Sequence, residues 1–163
     1  MLQQSLRTND DIERVFQKYA DMIYRLAFSQ TQNQSDADDV FQEVFLRYMK
    51  HGNSFESEEH EKAWLIRVTI NCSRKLWSSA WFRHTVELNE AILFEMPEEN
   101  EVYRALLQLP QKYRAVIHLF YYEDLPVAKI AQTLGMKESA VRTRLTRARE
   151  LLRTKLKGDF DDV

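Results

Sequence analysis

The sequence has few of the residues that interrupt helices or cross-link chains. It contains three glycines, three prolines and one cysteine in 163 residues. The single cysteine, Cys72, cannot form a disulfide within the chain, which excludes a disulfide-bonded scaffold. No stretch approaches the ~20 apolar residues that span a bilayer, and none has the basic start and apolar run of a signal peptide. We therefore expect a cytoplasmic protein without direct membrane insertion.

The sequence also lacks the residue sets of common enzyme classes. It has no glycine-rich phosphate loop, no zinc-spaced cysteine set and no nucleophile constellation. The acidic cluster between Asp36 and Glu43 raises the alternative of a helical-bundle metal oxidase, a class that needs Glu-x-x-His pairs. None of the four histidines has a glutamate three residues before it. We predict a protein that is not an enzyme and that uses no metal or other cofactor.

What the chain does contain is apolar residues that recur every three to four positions, within a composition that is 44% hydrophobic. This periodicity predicts an all-α fold with enough apolar residues for real cores. Residues 84–100 are acidic, include Pro97 and are less periodic than their flanks, which is typical of a linker. The chain is thus predicted to form two small helical domains, 1–83 and 101–157, followed by an acidic tail at 158–163.

The first domain is predicted to hold three or four helices. The first runs from about Asp10 to Gln30. The second follows Ser35 and Asp38, which have the spacing of a capping box, and ends at Gly52 and Asn53. The third runs from Lys62 to about Phe82. The expected core face of the first helix is Ile12, Phe16, Tyr19, Ile23, Leu26 and Ala27.

The second domain carries the signals of a helix-turn-helix. It begins near Glu101, and Pro110 divides its first helical stretch into two. A short helix follows with Pro126 in its first turn, and Gly135 is placed to leave that helix in a left-handed conformation. Another helix begins within about three residues. Two short helices joined through a glycine-containing turn form a helix-turn-helix.

Charge changes sign along the chain in blocks. Residues 31–61 carry eight acids and two bases, and residues 62–84 carry five bases and no acid. Residues 85–101 carry six acids and no base, and residues 136–157 carry eight bases and two acids. Two basic helices, each next to an acidic segment, favour a polyanion bound at two places. The alternative is solvated helix faces of random sign.

The last helix has two distinct faces. Val141, Leu145, Ala148 and Leu152 share the side expected to face the core. The opposite side carries Ser139, Thr143, Thr146 and Arg147, flanked by Arg142, Arg149 and Arg153 on one edge and Arg144 on the other. Small residues allow close approach to a major groove, and guanidinium groups reach guanine edges or phosphates. This pattern indicates DNA binding, with an exposed helix kept soluble by arginines as the alternative.

Three segments resemble one protein family. The segment LQLPQKYRAVIHLFYYEDLPVAKIAQTLGMKESAVRTRLTRARELL resembles the fourth conserved region of bacterial sigma factors. The segments SDADDVFQEVFLRYMK and EKAWLIRVTINCSRKL resemble the two halves of the second conserved region. With only a short linker between them, the chain resembles the extracytoplasmic-function sigma factors from about Ile12 to Leu156.

This resemblance implies a function and a set of partners. Such proteins bind core RNA polymerase, direct it to promoter DNA at two elements and help to open the duplex, often in response to envelope or environmental stress. The implied polymerase contacts are the clamp helices of the largest catalytic subunit and the flap. The resemblance also implies an anti-sigma factor that is tethered to a membrane.

The resemblance assigns roles to three groups of residues. The polymerase-docking group is Asp39, Gln42, Glu43, Leu46 and Arg47, for which an acidic solvated face is the alternative. The group for the start-proximal promoter element is Arg67, Asn71, Arg74 and Lys75, where an asparagine amide pairs with an unstacked base. The group for the upstream element is Lys137, Ser139, Arg142, Thr143, Arg144, Thr146 and Arg147.

The chain departs from the family in several places. The segment that matches the family's base-capturing loop, 53–61, contains four glutamates, an unusual lining for a nucleic-acid pocket. Pro126 stands where family members commonly have serine, and Lys137 where they have serine or another capping residue, so both helices lose a side-chain cap. The three tryptophans, Trp64, Trp77 and Trp81, fit either base stacking or core packing. A stand-alone helix-turn-helix regulator remains the rival reading, although it accounts for only half of the chain.

Overall fold

The computed structural model describes residues 7–52, 54–84 and 101–161, without the side chains of 77–84 and 158–161. In these ranges the chain forms seven α-helices and one π-helical turn and no strand, which confirms the predicted all-α fold. Two compact units lie within Met1–Ile92 and Leu93–Val163. We call them the first and second domains. The predicted linker lies, apart from His84, outside the described residues.

The first domain is a three-helix bundle of α1 (Asn9–Thr31), α2 (Gln34–Lys50) and α3 (Glu58–His84). Each helix contributes a stripe of apolar residues at helical spacing, so the three stripes can share one core. The most deeply buried of these are Val15, Ile23, Leu26, Val40, Val44, Leu65, Ile66 and Ile70. This packing turns the remaining faces of α2 and α3 outward.

The turn between α1 and α2 corrects the predicted cap. Gln32 takes a left-handed conformation with φ 56°, and its N–H donates to the Phe28 carbonyl. The chain then reverses, and the Asn33 side chain accepts a 3.0 Å hydrogen bond from the Asp36 N–H. The capping box assigned to Ser35 and Asp38 was therefore wrong, because both residues lie inside α2. Asn33 supplies the cap instead, two residues before Ser35.

Two further expectations for the first domain were wrong. Phe16 was placed in the core but is 50% exposed, whereas Val15 beside it is fully buried. Helix α3 begins at Glu58 and not at Lys62. Its extra turn is acidic, and acids are favourable at a helix N-terminus because of the helix dipole.

The second domain contains α4 (Glu101–Leu107), α5 (Gln111–Ile117), the π-helical turn (His118–Tyr122), α6 (Val127–Leu134) and α7 (Glu138–Asp161). The predicted break at Pro110 is confirmed. The buried Arg114 of α5 stabilises the turn between α4 and α5. The buried Arg114 guanidinium donates hydrogen bonds to the carbonyls of Leu107 and Leu109, at 3.3 and 2.9 Å. Burial lowers the pKa of Arg114 to about 10, so the side chain stays charged at neutral pH.

The helix-turn-helix is confirmed at the predicted position. Pro126 directly precedes α6 and, as expected from the absence of serine, makes no side-chain cap. Gly135 ends α6 with φ 66°, a conformation that glycine adopts without steric cost. Helix α7 begins three residues later and continues to Asp161, into the segment predicted as an acidic tail.

Candidate nucleic-acid and polymerase interfaces

Helix α7 presents an exposed, basic face. Val141, Leu145 and Ala148 are buried against the rest of the second domain, as the periodicity predicted. The seven residues assigned to the upstream element therefore lie on the other sides of the helix or just before it. The exposed ones are Lys137, Ser139, Arg142, Thr143, Thr146 and Arg147, and Arg144 is half-buried.

The two threonine hydroxyls on this face are bound within the helix. Thr143 Oγ1 donates to the Ser139 carbonyl at 2.9 Å, and Thr146 Oγ1 donates to the Arg142 carbonyl at 3.0 Å. Arg142 also contacts Glu138 at 3.3 Å, with both side chains at least half exposed. An exposed pair of this kind is weak. Arg142 can therefore exchange Glu138 for a base edge or a phosphate at little cost.

Arg149 differs from the other arginines of α7. Its Nε donates a 2.8 Å hydrogen bond to the Tyr121 hydroxyl. Its guanidinium also lies 5.4 Å from the ring centre of Phe120 and 5.6 Å from that of Tyr121, within cation–π range. The sequence grouped Arg149 with Arg142 and Arg153 on one edge of the helix. In the structure, Arg149 instead contacts Phe120 and Tyr121 and so connects α7 to the π-helical turn.

Helix α3 carries the second basic face. Arg67, Asn71, Arg74 and Lys75 are all exposed, and their spacing places them on one side of the helix. The intervening Val68, Ile70 and Cys72 are buried. The four residues assigned to the start-proximal element thus share one accessible surface.

The outward face of α2 is polar around one exposed leucine. Asp39, Gln42 and Glu43 are exposed, and Leu46 is 47% exposed. Arg47 Nε donates to Glu43 Oε1 at 3.0 Å, one helical turn away. The docking group assigned from the sequence is therefore a continuous surface, which we call the α2 face.

A groove of about 330 Å³ joins the α2 face to the basic face of α3. Asp39, Glu43 and Arg47 line it from α2, and Cys72 and Lys75 line it from α3. Burial raises the pKa of the Cys72 thiol, which favours its neutral form. Lys75 therefore lies where the two faces meet, a position that spacing along one helix does not show.

The acidic segment 53–61, which includes the first turn of α3, has a structural explanation. Glu61 is only 4% exposed and accepts hydrogen bonds from Arg14 at 3.1 and 3.0 Å and from the Tyr48 hydroxyl at 3.2 Å. These contacts to Glu61 raise the pKa of Arg14. Glu58 contacts Lys18 at 3.1 Å. Two of the four glutamates, Glu61 and Glu58, thus contact α1, and only Glu61 is buried.

An aromatic cluster, which the sequence did not reveal, packs beside this segment. The ring centre of Phe55 lies 4.9 Å from that of His51, 5.6 Å from Trp64 and 6.2 Å from Tyr48. The Arg7 guanidinium lies over both Tyr48 and Phe55. Burial, and then Arg7, lower the pKa of His51. Trp64 therefore serves in packing, while the side chains of Trp77 and Trp81 are outside the described residues.

The second domain has a separate apolar groove of about 640 Å³. Its lining includes Leu106 of α4, Tyr121 of the π-helical turn, and Leu152, Arg153 and Leu156 of α7.

Two other kinds of site are absent from the part of the chain that the structure describes. None of its helices has the length and hydropathy of a membrane span. It also holds no group of three or more histidine, cysteine, aspartate or glutamate side chains that could bind a metal ion.

A helix-turn-helix with an exposed basic helix, joined in one chain to a three-helix bundle with basic and acidic faces, defines a two-domain helical DNA-binding protein. Family comparison makes the class specific. Residues 15–83 match the model of Sigma-70 region 2, and residues 99–152 match that of Sigma-70, region 4.

Two relatives come from Bacillus subtilis (strain 168). RNA polymerase sigma factor SigV is 33% identical over 139 residues, covering 82% of this chain and 84% of its own. ECF RNA polymerase sigma factor SigW is 30% identical over 159 residues, covering 85% of each chain. The protein therefore belongs to the ECF sigma factors of the sigma-70 family. It is a transcription initiation factor and not an enzyme.

Two solved structures share the fold. CnrH, in complex with the cytosolic domain of CnrY, aligns with a TM-score of 0.71 at 23% identity, covering 96% of this chain and 94% of that chain. The sigma factor RpoE from Bartonella quintana, in complex with the anti-sigma factor NepR, aligns with a TM-score of 0.69 at 20% identity. That alignment covers 90% of this chain and 97% of the other.

Proposed function

We propose that this sigma factor directs core RNA polymerase, in the cytoplasm, to promoters with two DNA elements and promotes opening of the duplex. The observation that carries the proposal is the pair of exposed basic faces, one on α7 and one on α3, in the two domains that match the sigma regions. A stand-alone regulator would need only the face on α7.

Helix α7 is proposed to read the upstream element as duplex DNA. Arg142 and Arg147 are exposed beside Thr143 and Thr146, whose hydroxyls are already bound to the helix backbone. The threonine methyl groups therefore suit contact with thymine methyls, and the arginines suit bidentate contact with guanine. Lys137, Ser139 and Arg144 complete the surface, with Lys137 placed to meet a phosphate.

Helix α3 is proposed to hold the start-proximal element as a single strand. Asn71 lies in the middle of the exposed face of α3. Arg67 is one helical turn before it, and Arg74 and Lys75 are one turn after it. An amide can donate to and accept from the edge of a base once that base has left the stack. The basic side chains of Arg67, Arg74 and Lys75 then hold the phosphate backbone on either side of that nucleotide.

Polymerase docking is proposed to use a surface in each domain. On the α2 face, Leu46 surrounded by Asp39, Gln42 and Glu43 has the apolar centre and polar rim of a protein interface. This face suits the clamp helices of the largest subunit. The apolar groove of the second domain, with Leu106, Leu152 and Leu156, suits a short apolar segment of the flap.

An anti-sigma factor is proposed as the regulator. CnrH and RpoE, which share this fold, were solved with the cytosolic domain of CnrY and with the anti-sigma factor NepR. We propose that this chain, too, is bound by an inhibitor, one that is tethered to a membrane and releases the sigma factor under envelope or environmental stress. The inhibitor, and not the sigma factor, would then sense the stress.

Transcription in vitro with purified core polymerase tests the proposal. Fragmented genomic DNA is the template, and start sites are mapped with and without this chain. We expect specific starts only when both are present, and only weak duplex binding by the free chain, because its two basic faces are then not held at promoter spacing. A footprint by the free chain as tight as that of the holoenzyme would favour the stand-alone regulator.

A further inference from the structure

Arg149 of α7 and Tyr121 of the π-helical turn bring several hydrogen-bond donors together at the surface of the second domain. Arg149 Nε donates to the Tyr121 hydroxyl at 2.8 Å, although both side chains are exposed. The guanidinium also lies 5.4 Å from the ring centre of Phe120 and 5.6 Å from that of Tyr121. Two rings and one hydroxyl thus hold an exposed arginine in one orientation.

Most of the donors at this site stay available to a ligand. The hydrogen bond to Tyr121 uses only Nε, so both Nη groups of Arg149 can donate to another acceptor. The Tyr121 hydroxyl accepts this bond and can donate its own proton in addition. A guanidinium with a hydroxyl beside it matches the oxygens of a phosphate group.

The acids near the site do not occupy the guanidinium. Glu123, just after the π-helical turn, lies 3.7 Å from the buried His118, and its side chain is only 10% exposed. Glu138 contacts Arg142. Glu150 is exposed but projects about 100° further round α7 than Arg149 does. The oriented donors of Arg149 are therefore suited to an anion from outside the chain.

The place of the site in the helix-turn-helix indicates where that anion comes from. Arg149 lies seven residues after Arg142, close to two full turns, so the two arginines project from the same edge of α7. When the second helix of such a motif enters the major groove, the first helix crosses the neighbouring backbone. The π-helical turn leads into that first helix, α6, through Pro126. The site therefore lies on the side of α7 where a DNA strand would pass.

We propose that Arg149 binds a backbone phosphate of the upstream element and that Tyr121 is the positioning residue that orients it. The inference rests on the proposed reading of that element by α7. It adds to that surface a residue outside the group of seven assigned from the sequence. A phosphate contact would fix the angle at which α7 enters the groove, and the base contacts of Arg142 and Arg147 depend on that angle.

Closed-complex binding by holoenzyme, assembled from core polymerase and the full chain, tests the inference on a duplex that carries a mapped promoter. Arg149→Ala should weaken binding about tenfold, since a charge-assisted hydrogen bond is lost, and should flatten the salt dependence by roughly one unit of slope. Tyr121→Phe keeps the ring and the arginine, so binding should fall about threefold with the slope unchanged. Lys112→Ala removes one charge from an exposed position of α5 and should bind as the native chain does.

Interference by ethylated phosphates identifies the contact itself. Ethylation removes the charge of one phosphate at a time, and one position beside the upstream element should weaken binding by the native holoenzyme. That position should lose its effect with Arg149→Ala, because the contact is already absent. A residue that only stabilised the fold would leave the pattern of sensitive phosphates as it is. The upstream sequence selected from randomised promoters should also stay native with Arg149→Ala, because a phosphate carries no sequence information.

Arg142→Ala in the same binding assay separates this inference from the proposed function. Weaker binding by both arginine variants, with loss of one ethylation signal in Arg149→Ala, supports both. A native ethylation pattern and salt slope with Arg149→Ala, while Arg142→Ala binds more weakly, overturns the phosphate contact alone. Native binding by both variants removes the role of α7 and the inference with it. Weaker assembly of Arg149→Ala with core polymerase, with DNA binding unchanged, would assign Arg149 to the apolar groove that it also lines.

Discussion

Glu61 and Arg14, which lie 47 residues apart, form a two-pronged ion pair at 3.1 and 3.0 Å. Tyr48 donates a further hydrogen bond to the same carboxylate. One side chain at the start of α3 therefore binds α1 and α2 together. This contact fixes the position of α3 and, with it, the face that carries Asn71.

Glu61→Ala should destabilise the first domain. The substitution leaves the buried Tyr48 hydroxyl and one side of Arg14 without their acceptor, at a cost of about 2 kcal/mol. All three tryptophans belong to the first domain, so the unfolding transition seen by tryptophan fluorescence should move to lower temperature. Glu56→Ala, which removes an exposed carboxylate five residues earlier, is the control. Equal midpoints for the two variants would contradict the prediction.

The docking variant Asp39→Lys with Gln42→Ala should bind core polymerase less tightly while its helical content and melting temperature stay near native. Both residues face outward, so their replacement removes no core contact. Pull-down of the largest polymerase subunit measures the loss. Asp21→Lys supplies the same change of charge at another exposed site of the first domain. Unaltered pull-down by the docking variant would count against the α2 face.

Asn71→Ala should impair promoter opening more than promoter binding. An amide that pairs with a flipped base acts only after that base has left the stack, so the closed complex should form almost normally. Permanganate reactivity of unpaired thymines reports opening, and filter binding reports the closed complex. Opening at the native rate would reduce Asn71 to a polar residue on a solvated face.

Arg142→Ala and Arg147→Ala should change the upstream sequence that is selected from randomised promoters. Loss of a bidentate guanine contact costs about 1 to 3 kcal/mol and relaxes preference at one position. Arg153→Ala should leave the selected sequence as it is, because Arg153 lines the apolar groove further along α7. The same sequence from all three variants would mean that α7 holds only the backbone.

Arg114→Ala should destabilise the second domain alone. The variant leaves the carbonyls of Leu107 and Leu109 without the donor that reaches them, at a cost of about 2 to 3 kcal/mol. The helical signal in circular dichroism should gain an earlier transition, while tryptophan fluorescence is unchanged. Lys112→Ala, on an exposed neighbouring position, is the control. A shift of both signals together would show that the two domains unfold as one.

The sequence was informative where local spacing determines the structure. Pro110, Gly135 and the apolar positions of α7 act within one or two helical turns, so their effects were predictable. Ser35 was misassigned because the choice between neighbouring caps depends on the left-handed turn at Gln32. Phe16 was misassigned because periodicity alone did not separate it from Val15, one position away, and only packing against α2 decides which side chain is buried.

In the candidate sites, too, features set by the period of one helix were predictable, and features set by contacts distant in sequence were not. Exposure of the residues around Asn71 and Arg147 follows from the period of one helix, and it was predictable. The burial of Glu61 depends on Arg14 and Tyr48, which are distant in sequence, so the acidic segment looked like an unfavourable loop. Arg149 shows the same limit. Its contact with Tyr121 spans 28 residues and distinguishes it from arginines that share its edge of α7.

The hydrogen bonds of Thr143 and Thr146 affect how promoter preference can evolve. Their hydroxyls are committed to carbonyls of α7, so the face offers methyl groups to DNA. Exchange of either threonine for valine keeps a methyl group and removes no hydrogen-bond donor that a base could use, since the hydroxyl proton is already donated within α7. A lineage can therefore alter these two positions while retaining its promoters, and new promoter preferences should arise instead through the arginines between and beside them.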